Sequence, residues 1–329
     1  MKKSNTIPTY SYEDTSDPNI KRFVDREKNW THYWLVKEKK FVKAVNHILS
    51  LGYNKGPRFA QYLLSVTKEE AHKKLTTAGD EGTRTHSAFS DLIAGSRVTM
   101  TTKYPSDLVG GKQEPLNDNE WNNLQAFENW CAVYKPRLVA QDQTVCGGTY
   151  AGTFDALLTI TVPDKDKRFR EELWGKDILI LMDWKTSAAI YDEYKAQLAA
   201  YWFGIMLSHK WDAFVRAYPE KEFSGILRVG SKHKAGYEFQ VWNSRESAGN
   251  YALFNAAQTI ADDAEPTFEP EIEQIKTEFA IKVPKAVVEK PKKLTKKVLD
   301  TALKEIGDNL EEKPKKERKP KQLPLTAQE

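Results

Sequence analysis

Cysteine is scarce in this 329-residue chain. Cys131 and Cys146 are the only two, and they form no CxxC pair. Two thiols cannot build a four-cysteine zinc or iron–sulfur site, so both are expected to be reduced core residues. Long apolar runs are also missing: none approaches the roughly 18 residues of a spanning helix. The first twenty residues are polar and lack the apolar segment of a secretory signal. A cytoplasmic chain without membrane contact is therefore expected. No GxxxxGK[ST], GxGxxG or GxSxG occurs, so the sequence gives no argument for a P-loop NTPase, a Rossmann dehydrogenase or a serine-nucleophile hydrolase. One-sided charge is missing from most of the chain as well. The formal net charge is +4, but from Pro284 onward 13 Lys+Arg stand against 8 Asp+Glu, which leaves 37 basic and 38 acidic residues elsewhere. A nucleic-acid partner would have to be met by a local groove rather than by an all-over basic field.

What is present suggests three segments: a polar N-terminal stretch (1–30), a globular part (31–265) and a Lys/Glu/Pro-rich tail (266–329) expected to be disordered. Apolar spacing predicts helices over 41–51 and 58–75, then a break at 79–82, a helix over 83–94 and an exposed loop over 99–119. An aromatic-rich helix follows over 120–133. The pattern then becomes β-like over 138–145, 149–162 and 177–184. A helix is expected over 191–207, two strands over 225–229 and 237–242, and a closing helix over 248–261. A short helix within the tail is read at 294–306. The fold class expected is α/β, a central mixed sheet flanked by helices, preceded by an N-terminal helical part.

The chemistry concentrates in the middle. In TYAGTFDALLTI (149–160), strand alternation puts Thr153, Asp155 and Leu157 on one face and Gly152, Phe154 and Ala156 on the other. Asp155 thus sits within an apolar strand, where an unpaired carboxylate is costly. In ILILMDWKTS (178–187) the run Ile178 to Met182 is apolar at every position, the mark of a strand buried on both faces. Asp183 and Lys185, two apart, project from one side of it. Two carboxylates on neighbouring strands suit one or two Mg²⁺ ions. A lysine beside them suits phosphodiester hydrolysis, by orienting or deprotonating water and offsetting phosphate charge. Downstream, Gln197 and Tyr201 stand at i and i+4 on one helix face. Upstream, His86 in GTRTHSAF offers an imidazole ligand.

Taken in order, GTRTH, GTFD, DWKTS and QLAAY resemble the core of the PD-(D/E)xK nuclease superfamily, specifically its RecB/Cas4-like exonuclease branch. The resemblance covers roughly residues 35–260. It implies a restriction-endonuclease-like core and a Mg²⁺- or Mn²⁺-dependent deoxyribonuclease acting on linear DNA with free ends, in phage recombination, repair or replication. It implies metal binding by His86, Asp155, Asp183 and the Trp184 carbonyl, catalysis by Asp155, Asp183 and Lys185, and support from Gln197 and Tyr201. LVAQDQTV (138–145) resembles the strand that carries a glutamate in these proteins, and Asp142 falls closest to that position. Without four cysteines no iron–sulfur cluster is implied, and the arrangement looks most like phage-encoded exonucleases that lack one.

Two other readings stand beside it: a non-catalytic nucleic-acid-binding or adaptor protein on the same fold, and a structure-specific endonuclease. His32, His47, His72, His209 and His233 lack ligand spacing, and Trp184 and Trp202 are expected in the core. Lys55 and Arg58 follow a glycine-rich turn as either phosphate contacts or solvated charges. The tail is read as a nucleic-acid tether, a solubilising segment or the docking point of a recombination or replication partner. Its end, QLPLTAQE, faintly resembles sliding-clamp peptides but has Thr326 where an aromatic residue is expected.

Overall fold

The computed structural model describes residues 10–25, 30–53, 61–62, 64–218, 222–230 and 235–265. All of them lie within one unit, Met1–Pro270. The tail, its expected helix at 294–306, and His233, Lys55 and Arg58 lie outside the described residues.

The architecture is α/β, with a nine-stranded mixed sheet between helical layers. Its strands are β1 (Tyr10–Asp14), β2 (Ile20–Asp25), β3 (Trp30–Leu35), β4 (Lys40–Ala44), β7 (Arg137–Cys146), β8 (Tyr150–Thr161), β9 (Asp177–Lys185), β10 (Glu222–Val229) and β11 (Tyr237–Asn243). The order is β1-β2-β3-β4-β8-β9-β10-β11, with β7 also paired to β8. The small hairpin of β5 (Lys103–Ser106) and β6 (Lys112–Pro115) forms a second sheet.

Two helical layers enclose the sheet. On one face, α2 (Lys68–Ile93) and α3 (Asp118–Tyr134) bury Phe89, Phe127, Trp130 and Tyr134 against Ile178, Ile180, Met182 and Trp184. On the other, α1 (Val45–Gly52), α4 (Glu193–Ser208) and α6 (Ser244–Ala264) bury Ile48, Leu198, Ile205 and Phe254 against Leu179, Leu181 and Ile226. A short helix, α5 (Asp212–Ala217), follows α4. The alternation of β9 between the two layers explains its unbroken apolar run: a strand covered on both faces has no polar side.

Four expectations are overturned. The stretch read as a polar extension instead holds the start of a four-stranded antiparallel ladder that begins at Tyr10 and precedes the expected helical part, in which α2 carries His86. The ladder's alternating aromatic and charged residues suit a pleated, half-buried surface. The helix expected over 41–51 is two elements, because Phe41 and Val42 in β4 happen to continue the spacing of Val45, Ile48 and Leu49 in α1. The break expected at 79–82 does not exist: α2 runs through both glycines. It starts afresh at Thr67, whose hydroxyl accepts from the Glu70 N–H while the Glu70 carboxylate accepts from the Thr67 N–H. Gly82 meets a packing need, since a Cβ there would lie 3.3 Å from Thr186 Oγ1 at the end of β9. The loop expected over 99–119 contains the β5–β6 hairpin.

That hairpin is tied down by buried charge. Asp80 accepts from Ser106 Oγ (2.9 Å) and from the Asp107 N–H (2.6 Å). One turn on, Arg84 donates through two nitrogens to the fully buried Glu120 and reaches Glu114 at 3.5 Å. Glu120 also accepts from the Asn117 N–H, so one carboxylate caps α3 and neutralises Arg84. Glu120→Ala should therefore cost about 3–5 kcal/mol in urea unfolding, the penalty for leaving a buried charge without its partner. A loss below about 1 kcal/mol would show that Glu114 and Asp80 suffice.

Candidate active site

The site lies where the edge of β8 changes neighbours. Ala151 pairs with both Cys146 of β7 and Ala44 of β4, and Leu157 pairs with both Ala140 of β7 and Leu181 of β9. β7 thus runs along one edge of β8, while β4 and β9 share the other. Ladder pairing with β4 ends at Ala151 and pairing with β9 begins at Ala156. Asp155 stands in the fork between them, and Asp183 follows Met182, the last residue of β9 paired with β8, while β9 stays paired with β10 through Lys185.

The strand is irregular at this point, which corrects the expected alternation. Phe154 and Leu157 pack in the same layer, with α4 and α6, although they are three apart. Ala156 and Leu158 face α2 and α3. The two-residue period therefore slips by one around Asp155. Its cause lies opposite: Asp142 has a positive φ of 50°, and the β7–β8 register pairs Gln141 with Ala156 and Gln143 with Phe154. A left-handed residue in a strand kinks the ladder, and here it lets Asp155 reach toward α2.

The expected residues converge on the fork. His86 Nδ1 lies 3.5 Å from Asp155 Oδ2, and that oxygen also accepts from the Trp184 N–H at 2.7 Å. One turn beyond His86 on α2, Ser90 is hydrogen-bonded to Asp142. Lys185 Nζ lies 2.6 Å from Asp183 Oδ2 and donates to Gln197 Oε1 at 3.4 Å, and Gln197 Nε2 donates to the Tyr201 hydroxyl at 3.2 Å. Trp184 turns its ring into the core against Phe89, Phe127 and Trp130, so only its backbone enters the site. Trp202 is buried too, its indole N–H donating to the Phe223 carbonyl. Cys131 and Cys146 are free thiols, half-buried rather than fully in the core. His32 and His47 are buried with their rings 5.3 Å apart, away from the fork.

The groups differ sharply in protonation. Burial raises Asp183, and the nearby Lys185 ammonium only partly offsets it, so its pKa rises from 3.8 to about 6. Burial also works against the charged forms of Asp155, His86 and Lys185, but in each case the neighbours win. The His86 and Lys185 charges, with the Trp184 N–H, hold Asp155 below the usual carboxylate range. Asp155 raises His86, and Asp183 and Asp155 raise Lys185. Asp142 is raised, first by the protein packed round it.

The donors fit a divalent cation. Asp183 Oδ2 is buried, and its ion-pair partner is the Lys185 ammonium at 2.6 Å, whose charge also acts on Asp155. Three carboxylates share the fork with one ammonium and an imidazole. No three His, Cys, Asp or Glu side chains close into a ready cage among the described residues. Mg²⁺ does not require one, because it commonly takes one or two carboxylates and leaves other positions to water and substrate phosphate.

Three residues escaped the sequence reading. Tyr194 places its ring 4.5 Å below Lys185 Nζ, and it was legible as the first member of Y-x-x-Q-x-x-x-Y, one helix face. Ser90 was equally legible at i+4 from His86. Arg228, buried in β10 beside Lys185, donates to the Ser187 and Ala188 carbonyls and to Glu238. No sequence spacing announces it.

The raised carboxyl of Asp183 sets a test of stability. A group whose folded pKa lies above its unfolded value costs stability once ionised, and the loss develops as pH climbs from about 4 through 6. Asp183→Asn, measured by thermal unfolding in EDTA, should match the wild type near pH 4 and exceed it by about 3 kcal/mol at pH 8. Parallel pH profiles for the two proteins would refute this burial cost.

No protein-family model matches the chain, and no curated protein matches it significantly in sequence.

Proposed function

We propose that this protein is a metal-dependent deoxyribonuclease of PD-(D/E)xK type that degrades linear DNA from its ends. One observation carries the reading. Asp155, Asp183 and Lys185 meet in a strand fork together with His86, Gln197 and Tyr201, residues that are scattered through 116 positions of the sequence. A structural ion pair needs two of these groups. It does not account for a second carboxylate, a histidine on it and a glutamine–tyrosine pair holding the lysine.

Asp155, Asp183 and the Trp184 carbonyl would hold Mg²⁺ or Mn²⁺, with His86 at the Asp155 side. When bound, the metal supplies Lewis acidity and an activated water. Lys185 stays an ammonium, because Asp183 and Asp155 raise its pKa. Its role is therefore to orient water and offset the charge that develops on the phosphate oxygens, rather than to accept a proton. Gln197 fixes the ammonium from behind, and Tyr201 fixes Gln197. His86 keeps Asp155 ionised and turned into the fork.

Gly152 makes room for this support, since a Cβ there would come 2.6 Å from Tyr201 Cε1. The expected DNA, the docking partner at the tail and the cytoplasmic setting belong to this proposal. Among the described residues no helix is long and apolar enough to cross a membrane.

The test is cleavage of end-labelled linear and covalently closed circular DNA in Mg²⁺, Mn²⁺ or EDTA. Wild type should shorten linear DNA only, and only with metal. Asp183→Asn and Lys185→Ala should lose at least about 100-fold in rate, the scale of removing one preorganised electrostatic group, while circular dichroism stays unchanged. Cleavage of circles would make it an endonuclease. No cleavage in either metal would leave a DNA-binding relative, and full activity in Lys185→Ala would mean that the wrong lysine has been chosen.

A further inference from the structure

Between β9 and α4 the chain places two tyrosines whose position the catalytic set does not use. Tyr194, at the start of α4, lies under Lys185 Nζ at 4.5 Å and is hydrogen-bonded to Ser187. Tyr191, just before the helix, meets Tyr194 edge to face at 5.6 Å and remains 42% exposed. From the lysine to the outer ring there are thus two contacts, so Tyr191 stands one ring beyond the Lys185 ammonium. The segment between them is fixed: Ser187 Oγ donates to the Ala189 carbonyl, and Arg228 holds the Ser187 and Ala188 carbonyls from below.

We infer that Tyr191, braced by Tyr194, is a stacking platform for the nucleobase next to the scissile phosphate. The inference rests on the nuclease reading and adds a substrate class to it: strands whose terminal bases are unpaired. Two arguments favour a base over a phosphate at this point. An aromatic ring offers a face, and base–aromatic stacking tolerates any sequence because every base has a π-face. The immediate neighbours of Tyr191 on the helix side are acidic. Asp192 is largely exposed and partly answered by Lys195 at 3.2 Å, and Glu193 follows it. Carboxylates beside the ring repel the phosphodiester track but not a neutral base. Within a duplex a paired base is held in the stack, so a base next to the scissile phosphate can turn a face to the ring only when it is unpaired.

The test separates this from catalysis by measuring binding first. Fluorescence anisotropy in EDTA would follow a labelled single-stranded oligonucleotide, the same oligonucleotide with abasic residues near its end, and a blunt duplex. The proteins are wild type, Tyr191→Ala, Tyr191→Phe and Tyr191→Trp. Tyr191→Ala should weaken binding of the single strand on the order of 5- to 150-fold, the range for one stacked base. Phe and Trp should restore it, because the hydroxyl is not needed. The abasic strand should bind all four proteins alike, and the blunt duplex should show no dependence on residue 191.

Equal binding of the intact strand by wild type and Tyr191→Ala would overturn the platform. An equal loss on blunt duplex would overturn the preference for unpaired bases. Failure of the wild type to bind either nucleic acid would overturn both the platform and the nuclease reading. Binding that follows this pattern in a protein that cuts no DNA would overturn the nuclease reading alone.

Discussion

Two carboxylates held in the fork between strands, with too little positive charge around them, are the constraint on which the rest of the structure depends. Asp183 is kept from water by layers on both faces of β9, and Lys185 only partly answers its charge. Every neighbour helps to make that arrangement tolerable. α2 brings His86 to Asp155, α4 brings Gln197 to the lysine, and β9 itself offers the Trp184 N–H to Asp155. Such a cluster costs stability in the ionised protein, and folds keep such costs where ligand binding recovers them. The fork is also where strand pairing is missing, so the backbone leaves room for substrate atoms.

Sequence made the middle of the chain readable because its signals are local. β9 could be read from five apolar residues in a row, and β8 from its length and flanking turns. Gln197 and Tyr201 could be read from helical spacing. The same spacing would have yielded Tyr194 and Ser90. Other features are set by partners distant in the chain. The slip at Asp155 follows from the left-handed backbone of Asp142 on the next strand, and nothing in TYAGTFDALLTI reveals it. Arg228 supports the loop after Lys185 because β10 lies parallel to β9, a neighbour relation separated by 43 positions.

The N-terminal error has a different origin. In β3 and β4 aromatic residues, histidine and lysine alternate without a clean polar face, because His32 and Lys43 are themselves buried. Lys43 is neutralised at 2.6 Å by Asp262, more than two hundred residues away in α6. A charge buried through a partner so remote reads, in one dimension, as a surface charge. The glycines of α2 mislead in the opposite sense. They weaken helix propensity by about 1 kcal/mol each, but α2 runs through them, Gly82 passing close to Thr186, and tertiary packing overrides the local preference.

The seam between β4 and β8 consists of only two residue pairs, Lys43 with Tyr150 and Ala44 with Ala151. Beneath it lies a small apolar cluster of Ile20, Tyr33, Leu35, Val42, Ala44 and Ala151, separate from the two main cores. The four N-terminal strands form a panel joined to the body by this short seam, the Lys43–Asp262 ion pair and the hydrogen bonds of Tyr33 with Thr153 and of Thr144 with Ser16. Native proteins open along such seams before they unfold globally. Amide hydrogens of β1 to β3 are therefore expected to exchange through a lower-energy opening than those of β8 and β9. That panel borders the same edge of β8 on which Asp155 stands, so an opening there would widen one wall of the fork while β8 and β9 keep their own pairing.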